Sequence, residues 1–296
     1  MRNGDYLSTE LKTLNGYGFD ATKLGGLDAQ YYAKGRAAHN LLDNSDFTNP
    51  VNQRGQTSYT GTGGKVYTID RWHTWSESIS VSVQSGYLSI TNSTDSIYQN
   101  ISQIIDKHNL TGKAATIAVW DTNGNVYCAS GLMSTNNEIV CNTPTDFWFS
   151  AVLEDDNTIY FAIRPRGAKT ATIKAAALYE GSYDASTLPA YQPKGYAAEL
   201  AECMRYYYAV ENELLFAAWA DINGCLDYTV LLPQTMRAIP TVTFDKLQYA
   251  DESGYVSFTN SPHYTGRDRV AIRKVSGLTP NKAYGLIMKF SASADL

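Results

Sequence analysis

A chain of 296 residues exceeds one small domain and has length for two, each able to bury a core. Its net charge of -5, with the basic residues scattered along the chain, argues against an electrostatic grip on nucleic acid. Tyrosine is over-represented, 22 against 9 phenylalanines, which suits pleated strands and surfaces that offer a flat apolar face with a polar tip.

The N-terminus, MRNGDYLSTELKTLNG, has no apolar signal region, so synthesis in a cytoplasm is expected. Residues 1–38 are glycine-punctuated, lack strand alternation and end in a helical pattern from Leu27 to Ala37. Such a segment offers too little apolar surface to fold alone and is expected to attach to a partner or to copies of itself. From 39 to 195 short strands alternate with turns. SVSVQSGYLSIT (Ser80 to Thr91) has Val81, Val83, Leu88 and Ile90 around a Ser85-Gly86 turn, and ATIAVWDTNGNVYCAS (Ala115 to Ser130) turns at Asn123-Gly124. DFWFSAVL and TIYFAIRP follow, separated by the charged turn Glu154 to Asn157, and the whole pattern predicts a jelly-roll β-sandwich.

YAAELAECMR (196–205) predicts a hinge helix with Leu200, Cys203 and Met204 on one face. Strand patterns resume over 206–296, with Asn223-Gly224 as a hairpin turn and Pro233 and Pro240 bracketing a non-strand excursion. The longest wholly apolar run in this region and in the chain, Leu214 to Ala220, falls far short of the about 20 residues a membrane-spanning helix needs, so no membrane insertion is expected. The predicted fold class is therefore all-β: two sandwich domains joined by a short helix, with a short N-terminal helical attachment segment.

Cys128, Cys141, Cys203 and Cys225 show no C-x-x-C spacing and are expected as small, reduced, buried hydrophobes, with Cys128 and Cys141 on neighbouring strands. The N-x-[ST] tripeptides at Asn92, Asn100 and Asn109 are expected by chance in a chain rich in serine and threonine.

Three stretches carry a resemblance. ATKLGGLDAQYYA (Ala21 to Ala33) resembles a connector of phage tail fibres. NLLDNSDFTNPVNQRGQTSYTG with YTIDRW (Asn40 to Gly61, Tyr67 to Trp72) resembles the opening of their jelly-roll domain, and its Asn40, Leu41, Leu42, Asn44 and Phe47 match the first strand of carbohydrate-binding jelly rolls. YQPKGYAAELAECMRYYY (Tyr191 to Tyr208), followed by LPQTMRAIPTVTF (Leu232 to Phe244), resembles the fibres' hinge and the strand after it, with Met204 where the family commonly has glutamine. The closing SADL looks like a natural fibre terminus. The resemblance implies a bacteriophage tail-fibre receptor-binding protein: a homotrimer in the virion tail, docked through its N-terminus on other tail or baseplate proteins, gripping a bacterial surface polysaccharide. Alternatives are a tail-spike glycan depolymerase and a structural baseplate subunit.

A depolymerase needs two carboxylates roughly 5 to 9.5 Å apart across a groove. The pairs Asp155 and Asp156, Glu199 and Glu202, and Asp251 and Glu252 fall where acidic residues meet solvent. No nucleophile elbow accompanies His39, His73, His108 or His263, and Gly61, Gly63 and Gly64 form a flexible hairpin tip rather than a phosphate loop. Asp43, Asn44 and Asp46 are expected to form a turn in preference to a calcium site, so neither metal nor cofactor is called for, and no enzymatic activity is expected. Sugar binding wants an exposed aromatic plane flanked by groups that donate and accept hydrogen bonds. Tyr249, Tyr255, His263, Tyr264, Arg267 and Asp268, expected in loops of the C-terminal head, form the first candidate site, and Trp72 and Trp75 beside Arg71 the second.

Overall fold

The computed structural model describes residues 39–295 except 98, 107, 108, 136, 261–264 and 275, together with the backbone of two short strands, β1 (Lys23–Leu24) and β2 (Leu27–Asp28). Those two strands pair with each other, so Leu27 and Asp28 are extended rather than helical; the rest of the expected helix to Ala37 lies outside the described residues.

Alternation of large apolar and polar residues builds two six-stranded antiparallel sheets that face each other. The first runs β10 (Val126–Leu132), β9 (Ala114–Asp121), β14 (Thr170–Glu180), β7 (Tyr87–Asn92), β6 (Ile79–Gln84), β3 (Ser58–Thr60). The second runs β11 (Ile139–Asn142), β12 (Phe147–Asp155), β13 (Thr158–Pro165), β8 (Ile101–Asp106), β5 (His73–Thr74), β4 (Val66–Tyr67). The expected turns are present: Gln84 pairs with Tyr87 around Ser85-Gly86, and Gly86 takes a φ of 87° that a side chain would resist. Between the sheets Trp72 packs edge-on against Phe47 and Phe161, with centroids 5.2 and 6.0 Å apart.

The one α-helix among the described residues, α1 (Tyr196–Cys203), forms from strong helix formers just after Pro193. Its buried residues are Glu199 and Cys203, whereas Leu200 and Met204 are only half-buried, so the expected apolar face is replaced by one centred on a carboxylate. Glu199 is drawn in because it accepts the backbone N–H of Asn44 and lies 4.0 Å from the Lys194 ammonium.

Beyond the helix a second hydrophobic core forms. β15 (Tyr207–Ala209), β21 (Ala283–Ser293), β18 (Thr241–Asp251) and β19 (Gly254–Ser257) make one sheet, with β16 (Leu214–Trp219) also pairing β21. β17 (Leu226–Leu231) pairs β20 (Arg269–Lys274).

The junction between the two cores is braced by buried charge. Arg54 bonds Asp70 and Asp295 at 2.6 Å each and stacks on Tyr207 at 3.9 Å. Arg71 lies 3.4 Å over Tyr206, and Arg237 meets Asp106 at 3.1 Å.

Burial raises the carboxyls of Asp70, Glu199 and Asp295, Asp70 from 3.8 to about 6. In the window between those values the folded state holds a proton that the unfolded chain has lost. Asp70 therefore contributes up to about 3 kcal/mol as pH falls from 7 towards 4, at about 1.4 kcal/mol per unit, but buried His73, lowered from 6.5 to about 3, loses about as much over the same window because only the unfolded chain protonates it. The two largely cancel, and Asp106, shifted down, subtracts stability only below the ordinary carboxylate range. Thermal unfolding from pH 7.5 to 4.5 separates them: Asp70→Asn should lose stability as pH falls, and an Asp70→Asn variant with the parent's profile would refute the assignment.

Candidate functional site

The register of the second sheet of the sandwich determines which side chains share its outer face. Phe147, Phe149, Ile159, Phe161 and Ile163 point into the core, so Trp148, Ser150, Tyr160, Ala162 and Arg164 point outward. The pairings Trp148–Arg164, Ile163–Ile101 and Val66–Thr74, the last two continued by one step, and Ser102–His73, continued by two, set Trp148, Arg164, Asn100, Trp75 and Lys65 in a row perpendicular to the strands. The two tryptophans stand three strand spacings, about 14 Å, apart. Trp75 is 52% exposed.

Beneath this row the sheet is paved. Tyr160 donates its hydroxyl to Asn100 at 2.9 Å, and Arg164 donates to Ser150 Oγ at 2.5 Å while its guanidinium lies 4.3 Å over Trp148. Ala162, Ser102 and Ser150, small enough to lie under those side chains, are buried as a result. His73 sits 3.3 Å from Ser102 and edge-on to Trp75, and burial pushes its imidazole down to about 3, so it is neutral at physiological pH. Lys65 reaches over Tyr67 and Trp75, at 4.9 and 5.6 Å. The segment after Trp75 is held by close backbone approach: a Cβ on buried Gly61 would lie 1.6 Å from the Ser76 carbonyl oxygen. Gly61 is thus a packing position, not part of a flexible tip. The face offers aromatic planes with donors and acceptors between them, as a sugar requires.

Trp72, by contrast, is fully buried, its indole N–H bonded to the Asn44 carbonyl at 2.9 Å. It belongs to the core and is removed from the binding candidates. Trp75, three residues on, shares neither its face nor its exposure.

In the C-terminal part, Tyr249 and Tyr255 are strand residues of the β18–β19 hairpin, not loop residues. Tyr249 packs inward on Phe258 and Tyr284, whereas Tyr255 is 66% exposed. Arg267 donates to the Met236 carbonyl at 2.7 Å and Asp268 accepts from Arg269 at 2.7 Å. His263 and Tyr264 lie outside the described residues. A cleft of about 730 Å³ follows β18, lined by Val242, Phe244, Lys246, Phe258 and Asn260, and none of the four described candidates lines it.

Most carboxylates of the acidic pairs are already engaged. Asp155 accepts from Asn157, Glu202 meets Arg205 at 3.1 Å, Asp251 accepts from Ser253 and Glu252 meets Lys282 at 2.7 Å. Glu199 corrects the expectation that the helix carboxylates meet solvent. Asp43 contacts Arg71 and Lys194, each at 3.2 Å, Asn44 ties the loop to Val51, and Asp46 accepts from Thr48, so an ammonium stands between Asp43 and Glu199. Cys128 and Cys141 lie on the edge strands β10 and β11 of opposite sheets, flanking one cleft; both are free thiols, and burial raises Cys141 to about 11.

Trp75 was legible in the sequence as a sugar-binding candidate; Trp148, Tyr160 and Arg164 were not. The available signal was alternation phase: in FWFSAV and IYFAIR Trp148 and Tyr160 stand between residues of the buried set and Arg164 follows one.

No family model and no curated protein matches the chain. Two solved structures are similar: wild-type discoidin II from Dictyostelium discoideum, at 13% identity over 81% of this chain and 93% of that chain with a TM-score of 0.21, and native recombinant discoidin II of the same organism, at 14%, 79%, 92% and 0.22.

Proposed function

We propose that this chain is a receptor-binding protein of a phage tail fibre or phage-tail-like particle, made in the bacterial cytoplasm, which grips a bacterial surface glycan and catalyses nothing. The observation that carries glycan binding is the Trp148, Arg164, Asn100, Trp75 row on the outer face of the second sheet. Two aromatic planes flank polar groups there, and the row can lie under several sugar units at once. The phage assignment rests on the tail-fibre-like stretches of the sequence, as do the homotrimer and docking on other tail or baseplate proteins through the N-terminus. Threefold presentation would multiply weak sugar contacts. Binding without catalysis is supported by the engagement of Asp155, Glu199, Glu202, Asp251 and Glu252 within the chain.

The Trp75→Ala/Trp148→Ala double variant should lose about tenfold or more in retention on host envelope fractions, each aromatic contributing about 0.5–1.5 kcal/mol. Circular dichroism should stay near that of the parent, and light scattering on the same samples should give a threefold mass. Undiminished retention by the folded double variant would remove the sheet face as the binding site. Release of reducing sugar from the envelope would favour a depolymerase.

A further inference from the structure

We infer that the glycan taken by this sheet face is acidic, its carboxylate received by Arg164 in place of Glu138; the inference rests on the glycan-binding reading above. The Arg164 guanidinium is fixed before any ligand arrives, stacked 4.3 Å over Trp148 and bonded to Ser150. Among the described residues that is its one hydrogen bond, although a guanidinium carries five N–H donors in a planar fork. Its carboxylate partner, Glu138, stands 4.0 Å away, beyond hydrogen-bond length, on a side chain 39% exposed against 11% for Arg164. A half-buried cation with spare donors and a loosely held, solvent-facing counter-ion suits exchange of that counter-ion for a ligand carboxylate.

Two further features point the same way. Burial lowers both the Arg164 guanidinium and the Lys65 ammonium from their ordinary values, so each gains from an anion brought alongside. The row thus carries cations at two points in a chain whose net charge is -5, while neutral His73 adds no charge. A neutral sugar's hydroxyl oxygens can accept from Arg164 only singly and without charge; a uronate-type carboxylate matches its fork with paired, charge-assisted hydrogen bonds.

The test is an array of bacterial surface polysaccharides, uronate-containing and neutral, probed with the full chain, Glu138→Gln and Arg164→Gln. The strongest binders should be acidic, and chemical reduction of their carboxyl groups should weaken them roughly tenfold. Glu138→Gln, which removes the internal competitor, should bind acidic glycans several-fold more tightly. Arg164→Gln should lose the preference for acid while retaining weak binding through the tryptophans. Equal binding of acidic and carboxyl-reduced glycans, or no gain from Glu138→Gln, overturns the inference and leaves the glycan-binding reading intact. An array with no binding at all brings down both.

Discussion

Arg54→Ala should destabilise the chain by about 3–5 kcal/mol at pH 7.5, because it leaves two buried carboxylates without their counter-ion. Asp70 and Asp295 are 1% and 4% exposed, and both bond the same guanidinium. The substitution also removes the cation stacked on Tyr207 and the link from the end of β21 back to the sandwich. Backbone amides of β15 and of Ser291 to Ser293 should therefore exchange faster than the sandwich core. The loss should shrink at pH 5, where the orphaned carboxyls take up protons. Adding Asp70→Asn and Asp295→Asn to Arg54→Ala should recover part of the stability, since no buried charge is then stranded. Denaturant unfolding of these variants is the measurement; an Arg54→Ala chain within 0.5 kcal/mol of the parent would show that solvent reaches the cluster.

Trp72→Ala should cost about 3–5 kcal/mol of stability and leave glycan affinity of the folded fraction unchanged. Its ring fills the space between Phe47 and Phe161, and its N–H satisfies the buried Asn44 carbonyl, so truncation opens a cavity and orphans an acceptor at once. Trp75→Ala should do the reverse: stability within about 0.5 kcal/mol of the parent and weakened binding. Measuring melting midpoints and glycan retention on both single variants separates the roles. A Trp72→Ala chain that melts like the parent would mean that the core does not depend on the indole.

The hairpins were legible because a residue such as Gly86 or Gly124, at φ near 85°, announces its turn locally, and because the flanking Val and Ile alternate with period two. The helix was legible from Ala, Leu and Glu after a proline. Its buried face was not: Glu199 is pulled inward by a backbone amide 155 positions earlier in the chain, which no helical period can encode.

The site divides in the same way. Composition and local pattern determined that this is a chain built almost wholly of short strands and that Trp75 and Tyr255 are candidates for sugar contact. Only the tertiary structure decided that Trp72 belongs to the core, that Tyr249 packs inward, and that Trp148, Arg164, Asn100 and Trp75 form one row. The reason is register. Period-two alternation tells which side of its own strand a residue occupies, but which rows align across β12, β13, β8 and β5 depends on hydrogen-bonded pairings between segments distant in sequence, and a slip of one residue would turn each of those side chains to the opposite face.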